Sequence, residues 1–195
     1  MDLQRFAFAL VTCLLALTVS AAEAVSEVRQ VAQAEPAVPA KKDKVTAEAH
    51  LSVDKLPPGS ECKILIRLSV EKGWHINSNP AAPQGFIATE VSFKGKQGTQ
   101  LQSVKYPKGK PIKMQDLNQD ISVYDGKVDI FGVLKVPVEA AGLTEDMEIV
   151  VKYQACDDQK CLLPTTVKLS GKLQIAKADE PVRSVNEKLF KPQEK

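Results

Sequence analysis

Four cysteines, Cys13, Cys62, Cys156 and Cys161, and two histidines, His50 and His75, carry most of the reactive chemistry of this 195-residue chain. Cys156 and Cys161 enclose Asp157-Asp158-Gln159-Lys160 and sit within Tyr153-Gln154-Ala155 on one side and Leu162-Leu163-Pro164 on the other. At the tip of a hairpin, that spacing brings two Cα atoms within disulfide range. A closed loop of about six residues restricts the unfolded chain by only about 2 kcal/mol, against about 4.7 kcal/mol for a hundred-residue loop. Such a bridge is a weak staple and a reasonable redox centre. Zinc is excluded, because no second cysteine pair or nearby histidine completes four ligands. Two histidines also leave little for a histidine-dependent triad.

A rival pairing comes from the order Cys62, Trp74, Cys156, which matches the inter-sheet disulfide and tryptophan of immunoglobulin domains. Tyr153 stands three residues before Cys156, whereas the tyrosine corner of that fold stands two before. Strand parity also opposes the rival. Met147, Ile149, Val151 and Tyr153 form one inward row, which leaves Cys156 on the outward face unless a bulge intervenes. Cys62 belongs to an inward row and reads as a buried, inert thiol. Parity thus favours Cys156–Cys161, with Cys62–Cys156 as the alternative. Asp157 and Asp158 disfavour a thiolate at Cys156, and Lys160 favours one at Cys161. Neither charge prevents attack on the disulfide by an incoming thiolate.

The elements that must hold these residues read as strands. Val45, Ala47, Ala49, Leu51 and Val53 alternate. After the turn Leu56-Pro57-Pro58-Gly59, Cys62, Ile64, Ile66, Leu68 and Val70 alternate against Glu61, Lys63, Arg67 and Glu71. Period two over that length is a half-buried strand. Further strands are expected at 89–94, 101–106, 127–136, 147–155 and 166–175, separated by turns such as Lys94-Gly95, Asp125-Gly126 and Ala141-Gly142. No long helical period interrupts 45–175. The expected fold is all-β, an immunoglobulin-like two-sheet antiparallel sandwich.

With 26 Lys+Arg against 24 Asp+Glu, the net charge of +2 is too balanced for nucleic-acid binding through phosphate neutralisation. Hydrophobic residues at 44% supply a core. Residues 1–24 read as a signal peptide: Arg5, an apolar run from Phe6 to Val19, and Ala22-Glu23-Ala24 as an A-x-A cleavage site. The run is shorter than the ~20 residues needed to span a bilayer, so the mature protein is expected to be exported and not membrane-spanning. Cleavage near Ala24 leaves three cysteines, and an odd count in an exported chain points to a free thiol, an intermolecular bridge or redox traffic. Residues 25–44, rich in Ala, Pro and charge, read as a flexible leader. The domain is expected over 45–176. A loose charged tail follows at 177–195, where Val182, Val185, Leu189 and Phe190 allow a short docking helix.

At the cysteine hairpin the sequence resembles the periplasmic N-terminal domain of the transmembrane thiol:disulfide reductase DsbD. Gly73-Trp74-His75-Ile76-Asn77, Thr89-Glu90-Val91, Val123-Tyr124-Asp125-Gly126-Lys127, and the run from Tyr153 through Cys156, Cys161 and Pro164 carry the resemblance. It covers most of 45–175. The resemblance implies an immunoglobulin-like sandwich with Cys156 and Cys161 as a redox pair that needs no cofactor, because the cysteines carry the electrons. It implies electrons taken from a membrane partner and passed to thioredoxin-like periplasmic proteins. That family shields its cysteines with a loop that lays an aromatic ring over them, and Tyr124 holds the matching position. Without the resemblance, Tyr124 is an ordinary aromatic beside an Asp-Gly turn. Trp74 and His75 read as packing along a sheet edge, with no chemical role.

Family members continue into a membrane domain and a thioredoxin-like domain. The expectation here is a stand-alone, monomeric exported domain whose electron donor is a separate membrane or thioredoxin-like protein. Its expected activity is that of a protein-disulfide reductase-like relay. The competing class is an exported immunoglobulin-like binding module with a structural disulfide and no redox activity.

Overall fold

The computed structural model describes residues 43–113 and 120–191. The expected signal peptide and the leader up to residue 42 lie outside the described residues. Eleven strands follow in chain order. They are Val45–Leu51 (β1), Glu61–Val70 (β2), His75–Asn77 (β3), Glu90–Gly95 (β4), Gln100–Lys105 (β5) and Lys110–Lys113 (β6). Then come Asp120–Tyr124 (β7), Lys127–Lys135 (β8), Thr144–Tyr153 (β9), Ala155–Cys156 (β10) and Thr165–Gln174 (β11). A 3-10 turn at Val138–Ala140 and one short helix, Glu187–Phe190 (α1), complete the order.

All ladders are antiparallel. One sheet runs β1-β2-β8-β5, a second β11-β9-β4 and a third β10-β3-β7-β6. The all-β immunoglobulin-like architecture holds, but the two expected sheets resolve into three. The reason lies at Gln154. There β9 gives way to β10, and the chain exchanges its partners β4 and β11 for β3.

The period-two rows form the core. Cys62, Ile64, Ile66, Leu68 and Val70 of β2 and Val128, Ile130 and Leu134 of β8 are buried with Ile149, Val151 and Tyr153 of β9. Each fully buried aliphatic side chain contributes about 1.5–3 kcal/mol. The β2–β8 ladder requires a glycine at 132. A Cβ there would lie 2.6 Å from Leu101 Cδ1 and 3.3 Å from Ile64 Cγ2. On the opposite face of that ladder Arg67 and Asp129 stand in register, with Nε donating to Oδ1 at 2.7 Å and Nη2 to Oδ2 at 2.8 Å.

β9 starts earlier than its apolar row suggests. Glu145 extends the inward row yet is fully buried, and its carboxylate accepts the Gln97 N–H at 2.9 Å and the Thr99 N–H at 3.3 Å. The turn into β5 thereby satisfies a charge that would otherwise be expensive to bury.

The tail is not loose as far as Lys191. Arg183 donates its backbone N–H (2.9 Å) and its Nε (3.0 Å) to Asp54, and the Val185 N–H reaches the Ser52 carbonyl at 2.9 Å. The expected helix forms at α1, where Phe190 meets Phe131 edge-on with centroids 6.3 Å apart. Among the described residues, no helix is long and apolar enough to cross a membrane.

Candidate functional site

Tyr153 closes β9 inside the core, and the chain then steps through Gln154 into β10. Gln154 fixes the step by donating Nε2 to the Leu162 carbonyl at 3.1 Å, while the Leu162 N–H donates to the Ala155 carbonyl at 2.8 Å. Beyond them the tip closes on Asp157. Its N–H donates to the Lys160 carbonyl at 2.9 Å, and its Oδ1 accepts the N–H groups of Gln159 (2.9 Å) and Lys160 (2.8 Å). An aspartate bonding the backbone two and three residues on is the local chemistry of a tight turn. Those backbone donors, Gln159 first, hold the Asp157 carboxyl below the usual aspartate range.

The turn brings Cys156 and Cys161 face to face with Cα atoms 4.0 Å apart, and their sulfurs are bonded. Cys62 is a free thiol on β2, 5% exposed, and burial pushes its pKa up to about 11. The bridge therefore follows strand parity, and the immunoglobulin-type pairing through Cys62 is not formed. Its two halves differ sharply: Cys156 is 1% exposed, whereas Cys161 is exposed. Leu163, two residues beyond Cys161, is 83% exposed.

β10 is held by β3, with Cys156 opposite His75 and Ala155 opposite Ile76. β3 is in turn held by β7, with Ile76 opposite Tyr124 and Asn77 opposite Val123. Directly opposed residues share a face, and successive residues alternate. Ala155, Ile76 and Tyr124 therefore point one way, and all three belong to the hydrophobic core. Cys156 and His75 point the other way.

Tyr124 thus stands one rung from the disulfide, on the core side of the sheet. Its hydroxyl accepts the Asn79 N–H at 3.0 Å and donates to the Pro107 carbonyl at 2.8 Å, and burial raises its pKa. The neighbouring Asp125 carries the charge of this loop and pairs with Lys110. Trp74 lies outside the rung; the Lys44 ammonium sits over its ring, 4.6 Å from the centroid.

His75, which the sequence offers only as a packing residue, stands in register with Cys156 of the bridge. It is 7% exposed, and its Nε2 has no hydrogen-bond partner. An unpaired buried polar atom costs roughly 1–3 kcal/mol. Burial draws its pKa below the ordinary histidine value, against the opposing pull of Asp158, Asp157 and Asp125. Two stretches distant in sequence also meet beside it. Thr89 donates its hydroxyl to the Asn77 carbonyl at 2.6 Å, and Asn79 donates Nδ2 to the Thr89 carbonyl at 2.8 Å. No periodicity could reveal His75, because β3 is three residues long; its place in a stretch shared with the resembled family was the one pointer.

Comparison with known families matches residues 41–172 to the family described as thiol:disulfide interchange protein DsbD, N-terminal. Among solved structures, the DsbD N-terminal domain of Neisseria meningitidis in its reduced form is 14% identical. That alignment covers 66% of this chain and 89% of the other, with a TM-score of 0.40. The N-terminal periplasmic domain of ScsB from Proteus mirabilis is 17% identical over 72% of this chain and 49% of the other, with a TM-score of 0.42. A complex between the DsbD N-terminal and PilB N-terminal domains of Neisseria meningitidis matches at 16% identity. It covers 74% of this chain and 95% of the other, with a TM-score of 0.40. A search of curated proteins finds no match.

Proposed function

The chain belongs to the family of DsbD N-terminal domains, and from that premise we propose that Cys156 and Cys161 cycle between disulfide and dithiol, relaying reducing equivalents between protein partners. The observation that carries this reading is the unequal burial of the bridge: a hairpin tip offers Cys161 to solvent and keeps Cys156 covered. A donor thiolate attacks the Cys161 sulfur. A bond forms between the donor sulfur and Cys161 Sγ, the Sγ–Sγ bond breaks, and Cys156 leaves with the electron pair. The donor's second thiolate then attacks its own sulfur in the mixed disulfide and releases Cys161. The donor ends as a disulfide and this domain as a dithiol, two electrons richer. The same steps in reverse deliver the pair to an acceptor. Lys160 beside Cys161 supports an approaching anion, whereas Asp157 and Asp158 flank the covered sulfur.

In this reading the donor is a membrane or thioredoxin-like reductant, and the acceptors are thioredoxin-like proteins of the periplasm. Residues 45–176 are the exchanging unit, 1–24 the export signal, 25–44 the leader and 177–195 the tail. Tyr124 enters as a brace of the site: its hydroxyl ties the segments at Asn79 and Pro107 to β7 and so steadies the β3 strand on which β10 hangs.

The reduction potential tests the proposal. Exchange-active bridges lie above about −300 mV and structural bridges of exported proteins typically below it. A value above that line is expected; one below it would make the disulfide a structural feature of a binding module.

Leu163 is the apolar contact this reading offers a partner. Burying a leucine side chain is worth about 1.5–3 kcal/mol, and 1.4 kcal/mol is tenfold in binding. Leu163→Ser is expected to weaken partner exchange roughly tenfold while leaving reduction by a small thiol unchanged. Second-order rates with both reductants check it. An equal drop in both would mean that the substitution damages the hairpin and removes no docking contact.

A further inference from the structure

The exchange step leaves one residue of the site unused. His75 stands directly opposite Cys156 in the β10–β3 ladder, on the same face. Cβ atoms of such a pair lie about 4.5–5.5 Å apart, so an imidazole nitrogen can reach the sulfur. Both residues are buried, and His75 Nε2 has no partner. A sulfur in a disulfide is a poor partner for it, with no proton to give and no charge to receive one. Opening the bridge changes that, because Cys156 then holds a negative charge in a covered position.

Every other charge facing the pair worsens its situation. Asp157 and Asp158 come from the hairpin tip and Asp125 from the end of β7. Asp157 is partly offset by the N–H groups of Gln159 and Lys160, and Asp125 by Lys110. A thiolate placed beside three carboxylates and out of water needs a proton or a cation.

We infer that His75 is the acid–base partner of Cys156, and that the pair takes up one proton from solvent when the bridge opens, held between Nε2 and Sγ. The inference rests on the exchange reading above. Attack on Cys161 oxidises the incoming sulfur and reduces Cys156. The imidazole binds the released thiolate and gains a proton from water. When the bridge re-forms, the Cys156 thiolate returns its electron pair to Cys161 Sγ, expels the partner thiolate, and His75 releases the proton.

The sign of the coupling follows from the charges. In the disulfide state burial outweighs the three carboxylates and keeps the imidazole neutral near pH 7. The thiolate adds a fourth negative charge, so His75 titrates higher in the reduced protein, and Cys156 titrates lower than it would without His75.

The test is an NMR titration of the imidazole protons of the full chain, oxidised and then fully reduced with excess phosphine, with His50 on β1 as the internal comparison. His75 is expected to titrate at least one unit higher in the reduced protein, with His50 unmoved. Equal titration of His75 in both states would overturn the inference. A second measurement uses His75→Gln. Its loss should raise the Cys156 thiol titration in a Cys161→Ala background. It should also shift the thiol–disulfide equilibrium of the otherwise intact protein about tenfold toward the disulfide at pH 7, a potential about 30 mV more negative. An unchanged Cys156 titration and potential would also overturn it. The exchange reading fails separately, through a parent potential below about −300 mV. Phosphine reduces the bridge in either case, so the two failures are distinguishable.

Discussion

Cys161→Ser is expected to abolish exchange with protein thiols, and Cys156→Ala to convert the same protein into a trap. The asymmetry of the bridge sets the difference. With Cys156 removed, Cys161 remains exposed at the tip and attacks an oxidised partner's disulfide, forming a mixed disulfide that this domain has no second accessible thiol to resolve. With Cys161 removed, the remaining sulfur is the one that is 1% exposed, and a docking protein cannot reach it. Covalent adducts should therefore accumulate on Cys156→Ala and be scarce on Cys161→Ala, as read on non-reducing gels of periplasmic extracts followed by mass spectrometry. Equal trapping by the two variants would mean that the order of attack is wrong. The double Cys156→Ser, Cys161→Ser variant should lose all exchange but little stability. Its short loop constrains the unfolded chain by about 2 kcal/mol, so the melting temperature falls by several degrees. Gross unfolding of the double variant would restore the staple reading.

That prediction depends on a site whose cysteines were legible in the sequence and whose surroundings were not. The seven longer strands announced themselves, because rows such as Ile64, Ile66 and Leu68 alternate over enough residues to define a face. The sheet that carries the disulfide did not. β3, β6, β7 and β10 span two to five residues each, too few for a period to emerge, and what makes them strands is pairing with each other. Parity read along β9 put Cys156 on the outward face; the register with His75 keeps it off the Tyr153 side, but that face is covered and Cys156 is 1% exposed. The same reasoning could not find His75, since its meaning comes from a partner on another strand. The tail misled for a related reason. Arg183 and Asp54 are 129 positions apart, and a charge whose partner is that distant looks solvated in a one-dimensional reading. Glu145 likewise breaks an apolar row in the sequence and completes a turn in the fold.

Tyr124 separates two ways in which such a site controls access to its sulfurs. In the resembled family an aromatic ring lies over the cysteines. In this chain the register puts the Tyr124 ring on the core side, with Ile76 and Ala155, and leaves its hydroxyl to tie Asn79 and Pro107. A brace and a lid answer differently to the same substitutions. Tyr124→Phe keeps the ring and loses the hydroxyl, so a lid would survive it and a brace would not. The loss leaves the half-buried Asn79 N–H without its acceptor, at about 1 kcal/mol, and loosens a strand that has only two register pairs to β7. β10 follows β3, and Cys156 becomes more accessible. Reduction by a small thiol should therefore speed up several-fold in Tyr124→Phe, with a smaller change for a protein partner that docks on the exposed Cys161 side. Tyr124→Ala removes the core ring as well. Truncating a buried aromatic costs about 3–5 kcal/mol, so its melting temperature should fall by about ten degrees or more, with the fastest small-thiol reduction of the three proteins. Stopped-flow rates with a small thiol and with a thioredoxin-like reductant, on parent and both variants, make the comparison. A Tyr124→Phe rate equal to the parent alongside a fast Tyr124→Ala would show that the ring itself is the barrier. Parent-like small-thiol rates in both would mean that Tyr124 only packs, and that the cover on Cys156 lies wholly on the face it shares with His75.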